Sequence, residues 1–135
     1  MQLEVNGLTA EDVPSAFTQE AWNYFRRALK SETYVSIVAE VGGELVANAG
    51  VVIYEKPPSI PLGASLVGYV TNVYTRPDFR KRGVATKLME IAVDHMKAIG
   101  VSKLHLGTTD EGKGVYERVG FGPLKFTPLE VKLNP

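Results

Sequence analysis

The run Arg80-Lys81-Arg82-Gly83-Val84-Ala85 constrains this chain more than any other, because it joins a strand-like segment to the start of a long amphipathic helix. In that helix Val84, Leu88, Ile91, Ala92, His95 and Ile99 recur at spacings of three and four on one face, while Lys87, Glu90, Asp94 and Lys97 fall on the other. Gly100 supplies the stop. The first turn of such a helix leaves four backbone N–H groups without intrahelical partners, and the macrodipole adds about half a positive charge there. A phosphate satisfies both. Gly83 and Ala85 keep bulk away, so that a diphosphate can approach the backbone, and Arg80, Lys81 and Arg82 add mobile positive charge.

The rest of the composition mainly excludes. With 135 residues the chain makes one domain, 1–135, long enough to bury about two-thirds of the surface its unfolded form exposes. Lys plus Arg equals Asp plus Glu at 15 each, so no overall field draws it to nucleic acid or to an anionic membrane, and the basic residues from Arg76 to Lys87 form a local site. There is no cysteine, hence no disulfide framework, thiolate nucleophile or thiolate metal site, and a cytoplasmic location is the simplest reading. No basic region followed by an apolar run opens the sequence, and no stretch approaches the roughly eighteen apolar residues of a membrane span. His95 and His105 suit no metal motif by spacing and read as structural; no metal is expected. The Gly112-Lys113-Gly114 run lacks the spacing of a nucleotide P-loop and shapes a turn instead.

Along the chain, Met1 to Val5 reads as a short strand, and Asp12 as the N-cap of a helix with Pro14 in its first turn. Val13, Phe17, Ala21, Tyr24, Phe25, Ala28 and Leu29 form the apolar stripe of that helix, and Trp22 lies off its centre. Tyr34 to Glu40 and Leu45 to Tyr54 read as strands joined by a Val41-Gly42-Gly43-Glu44 hairpin. Glu55 to Ser65, with Pro57, Pro58 and Pro61, reads as a loop. Leu66 to Thr75, Lys103 to Gly107 and Phe126 to Leu133 read as further strands, with a short helix over Gly112 to Val119 stopped by Gly120. This order predicts an α/β (α+β) fold, a three-layer mixed β-sheet flanked by helices.

Three segments together carry a family resemblance. Arg-x-x-Gly-x-Ala at Arg80 to Ala85, the strand and Pro-containing turn Val73-Tyr74-Thr75-Arg76-Pro77-Asp78-Phe79 before it, and Val115-Tyr116-Glu117-Arg118-Val119-Gly120-Phe121 after it stand in the order found in the GNAT superfamily of N-acetyltransferases, which the chain resembles from Leu66 to Phe121. The resemblance implies a sheet whose central strands splay apart and acetyl-CoA as the acetyl donor. It implies that the diphosphate rests on Arg80, Lys81, Arg82, Gly83, Val84, Ala85 and Thr86, and that main-chain groups of Val73, Tyr74 and Thr75 pair with the pantetheine arm and the acetyl carbonyl. Donors pre-aimed at charge developing on oxygen are commonly worth ~3 kcal/mol each.

Tyr116 is the catalytic candidate. A thiol has a pKa of ~8.5 and a phenol ~10, so full proton transfer from tyrosine to the departing thiolate is uphill by about 2 kcal/mol, and a hydrogen bond that strengthens as the sulfur becomes negative suits the step better. The acceptor side is less legible. A lysine-like amine with pKa ~10.4 is unprotonated in only about one molecule in 2,500 at pH 7, a deficit of ~4.6 kcal/mol that a base or a water chain must offset. Many members of the resembled family use a Glu on the central strand, yet Leu66 to Thr75 holds no acidic residue. Asn72 is the polar residue near its centre, a candidate for positioning water or substrate, and Trp22 and Tyr24 are candidates for an acceptor pocket. The resulting expectation is direct transfer of acetyl from acetyl-CoA to a small-molecule or peptide amine in a ternary complex. A non-catalytic acyl-CoA-binding or regulatory module is the alternative. Homodimerisation is common among similar proteins, but no residue pattern identifies an interface.

Overall fold

The computed structural model describes residues 15–60 and 63–134. The expected strand at Met1 to Val5 and the N-cap at Asp12 lie outside the described residues. Within them the chain runs α1 (Ser15–Lys30), β1 (Tyr34–Val41), β2 (Glu44–Ser59), β3 (Gly63–Thr75), a 3-10 turn (Pro77–Phe79), α2 (Val84–Ala98), β4 (Val101–His105) and α3 (Lys113–Arg118). The four strands form one mixed sheet in the order β1-β2-β3-β4, antiparallel except for the parallel β3–β4 pair. A parallel pair needs a crossover, and α2 provides it.

Each face of the sheet has its own partner. Leu88, Met89 and Met96 of α2 pack on Ala47, Ala49, Val51, Ile53 and Val70, with Val35 and Ile37 at the margin. Alternation along β1 therefore turns Tyr34 and Ser36 to the opposite face. There the Tyr34 ring meets Phe25 and Tyr24 of α1 at 5.0 and 6.3 Å between centroids. Met89 is fully buried and Met96 nearly so. Each such side chain contributes about 1.5–3 kcal/mol by leaving water.

Three expectations change. The buried stripe of α2 is Leu88, Met89, Ala92 and Met96, whereas Ile91 and Ile99 stay over 40% exposed and His95 is exposed. The two methionines complete a stripe of three- and four-residue spacings that the β-branched residues only flank. The proline-rich stretch from Glu55 is strand rather than loop as far as Ser59, pairing Glu55 with Leu66 and Lys56 with Ser65. It tolerates Pro57 and Pro58 because β1 begins opposite Val52, which leaves this part of β2 an edge, and because the register on the β3 side slips between Lys56 and Ser59. Phe126 to Leu133, finally, forms no strand. Pro128 interrupts it, and Leu129, Val131 and Leu133 alternate without a sheet face to cover, at 76–94% exposure.

Candidate active site

The β3–β4 ladder ends at Tyr69 opposite His105, while β3 continues to Thr75. Beyond Tyr69 no strand pairs with this side of β3 among the described residues, so the strands part and leave a wedge. A bulge sits at the same height. Between Gly50 and Asn48 of β2 the partner positions on β3 advance from Thr71 to Tyr74, one residue more than on β2, and Asn72 lies in this interval with φ +54°. Asparagine is among the few residues with side chains that enter the left-handed region readily. The extra residue explains why Val70 and Val73, three apart, both pack on the α2 side.

At the open end of the wedge the chain turns through Pro77–Phe79 into α2. Arg76 is fastened there by Glu44 at 3.0 Å and Asp78 at 3.2 Å. Arg80 Nε donates to the Thr75 carbonyl at 2.8 Å, and its guanidinium lies 5.4 Å from the centre of the Tyr74 ring. Lys81 and Gly83 take left-handed conformations, at φ +60° and +78°. Gly83 caps α2 without a side chain, and the first intrahelical bond runs from Lys87 N–H to the Gly83 carbonyl. The N–H groups of Gly83, Val84, Ala85 and Thr86 are therefore the orphan donors of this helix, and no acidic residue in the first turn competes for an anion. A Cβ on Gly83 would meet nothing within 4 Å, so the backbone faces open space.

A cavity of about 630 Å³ lies against this turn and brings together Val73, Tyr74 and Thr75, then Arg80, Lys81 and Gly83 to Thr86, and Tyr116 across from them. Of the residues expected to hold the diphosphate, Arg82 is absent from the lining, and its guanidinium sits 5.4 Å from the centre of the Phe79 ring. Thr109, Glu111 and Arg118 also line the cavity. Arg118 falls within the Val115–Phe121 segment, whereas Thr109 and Glu111 belong to no motif and join the site because α3 packs against α2. Tyr116 is half-buried, with its ring edge-on to Phe121 at 5.9 Å. Burial raises the pKa of its phenol above the usual 10, which keeps the proton on and makes the group a hydrogen-bond donor at neutral pH. The chemistry of this set suits a diphosphate on orphan N–H groups and an extended thioester along a strand edge.

The other candidates lie on the α1 face. Asn72 Nδ2 donates to Tyr34 Oη at 3.2 Å, Asn48 Nδ2 donates to the Asn72 carbonyl at 2.8 Å, and Ser36 Oγ bonds to Asn48 Oδ1. This polar chain crosses β1, β2 and β3. Gly50 makes room for it, since a Cβ there would stand 1.9 Å from Tyr34 Oη. Tyr24 reaches the chain through its ring contact with Tyr34, whereas Trp22 is 61% exposed beneath the Arg26 guanidinium. Among the described residues no group of three His, Cys, Asp or Glu side chains could hold a metal ion, and no helix is long and apolar enough to cross a membrane.

The structure is similar to a predicted acetyltransferase from Clostridium acetobutylicum crystallised with acetyl-CoA, at TM-score 0.84 and 28% identity over 98% of this chain and 83% of that one. It is similar to a GCN5-related N-acetyltransferase from Ralstonia eutropha, at TM-score 0.72 and 26% identity over 87% and 77% of the two chains. Glucosamine-6-phosphate N-acetyltransferase from Arabidopsis thaliana shares the fold, at TM-score 0.73 and 21% identity over 98% and 88%. No curated protein matches the sequence. The model of the acetyltransferase (GNAT) family matches residues 4–121, which include the parted strands, the Gly83 turn and Tyr116, and the chain belongs to that family.

Proposed function

We propose that this protein moves an acetyl group from acetyl-CoA directly to a primary amine, with both substrates bound together. The observation that carries the reading is one cavity lined by the first turn of α2, the open edge of β3 and Tyr116. Acetyl-CoA would supply an activated thioester there. Gly83 to Thr86 would hold its diphosphate, with Arg80 and Lys81 adding charge, and Val73 to Thr75 would offer main-chain partners to the pantetheine arm. Tyr116 would donate a hydrogen bond to the sulfur as charge develops, a role favoured by a phenol that stays protonated. The absence of cysteine fits direct attack by the amine, because no thiol is present to carry the acetyl group.

The test is acetyl transfer to a panel of primary amines, read as free CoA released, together with calorimetric binding of acetyl-CoA. Amine-dependent release supports the reading. Tight binding with no release above the amine-free rate would favour the binding module, which the lack of a carboxylate on β3 from Leu66 to Thr75 would then explain.

A further inference from the structure

The wedge has a second mouth. Tyr69 and His105 are the last pair before β3 and β4 part, so His105 stands at the apex of the opening. Leu104 and Leu106 pack on the α2 side, which turns His105 to the opposite face, the one that carries Tyr34 and Asn72. Tyr54 Oη lies 2.6 Å from His105 Nε2, and the Tyr69 ring is 5.0 Å from the imidazole. Three aromatic side chains from three strands thus meet at the point where an acetyl group threaded through the wedge would emerge. Of the carboxylates around the wedge, Glu44 is bound to Arg76, and Glu111 lines the cofactor-side cavity.

We propose that the acceptor amine binds on this α1 face and gives a proton to His105, held in place by Tyr54, and that Lys56 and Lys103 favour acceptors carrying an anionic group. The inference rests on the acetyl-transfer reading. With the proton on Nε2, that nitrogen donates to Tyr54 Oη and Nδ1 keeps its lone pair for the amine. An ammonium loses two protons in becoming an amide. One passes to His105 Nδ1 and then to water, the other ends on the CoA sulfur, and the C–N bond forms as the C–S bond breaks. The Tyr54 hydroxyl and the Tyr69 ring meet His105, and by alternation Lys56, two residues from Tyr54 on β2, and Lys103, two residues from His105 on β4, lie on the same face of the sheet. Partial burial, then Lys56 and Lys103, lower its pKa from 6.5, so it is neutral at pH 7 as a base must be. The same two cations disfavour a polyamine and attract a carboxylate or phosphate on the acceptor.

The experiment compares wild type with His105→Gln, Tyr54→Phe and Lys103→Glu in the pH profile of kcat/KM, using amino acids, amino-sugar phosphates and spermidine as acceptors. His105→Gln is expected to lower kcat/KM by roughly a hundredfold or more and to erase the acid limb below pH 6.5, with acetyl-CoA affinity and Tm unchanged. Tyr54→Phe should give a smaller loss and move that limb. Lys103→Glu should weaken anionic acceptors selectively. A readout independent of turnover is the imidazole NMR spectrum of the free protein, in which the signal lost in His105→Gln should titrate below 6.5 and show Nε2–H. Undiminished turnover in His105→Gln, or a proton on Nδ1 above the titration, overturns the base assignment. Preference for spermidine overturns the acceptor class. If acetyl-CoA binds and no amine turns over, the acetyl-transfer reading itself falls.

Discussion

The two mouths of the wedge are built by different means. On the α2 side, one stretch of chain from Val73 to Thr86 supplies the strand edge, the turn and the helix start, and most of its groups are main-chain N–H and C=O. On the α1 face the polar side chains come from β1, β2, β3 and β4, and the Tyr54–His105 contact spans 51 positions of sequence. A site made of backbone needs a local conformation, and local conformation leaves a local signature such as Gly83. A site made of side chains on separate strands needs only the right register, and each residue taken alone looks like ordinary sheet.

The largest effect that sharpens this contrast is expected from Gly83→Glu. Its carboxylate would project into open space where the diphosphate is to lie, and a side chain at φ +78° is strained as well. Acetyl-CoA affinity should fall by more than about a hundredfold in calorimetry, since the substitution adds repulsion at the orphan donors. Retained affinity would break the claim that this mouth serves the cofactor. Tyr116→Phe comes next, with kcat lowered roughly ten- to hundredfold, the range of one hydrogen bond to a charged group, and acetyl-CoA affinity nearly unchanged. A loss confined to acetyl-CoA affinity would make the hydroxyl a binding group instead.

On the α1 face the expected effects are smaller and of another kind. Gly50→Ala forces the Tyr34 hydroxyl to move and should cost about 1–3 kcal/mol of stability in urea unfolding, while leaving acetyl-CoA affinity alone. Asn72→Gly loses the bond to Tyr34 but suits φ +54°, so its stability should lie within about 1 kcal/mol of wild type. The amine KM should rise nonetheless. Equal amine KM in the two proteins would detach Asn72 from the acceptor side.

Legibility follows the same division. The Arg80–Ala85 turn, the stop at Gly100 and the short Tyr116 helix were readable because each depends on residues near in sequence. The direction of the α2 core face was not, because Met89 and Met96 are as apolar as Ile91 and Ile99 and only the sheet decides between them. Pro57 and Pro58 suggested a loop, since their tolerance depends on where β1 begins. The alternation of Phe126 to Leu133 suggested a strand, although a strand also requires an edge to join. The bulge at Asn72 left one faint mark, an asparagine among the valines, tyrosines and threonines of β3.

The most direct test of the central claim is amide hydrogen exchange with and without saturating acetyl-CoA. Slower exchange is expected at Gly83 to Thr86 and along Val73 to Thr75, with Ser36, Asn48 and Tyr34 unchanged until an amine is added. Slowing confined to the α1 face, or no change at the start of α2, would contradict the assignment of the two mouths.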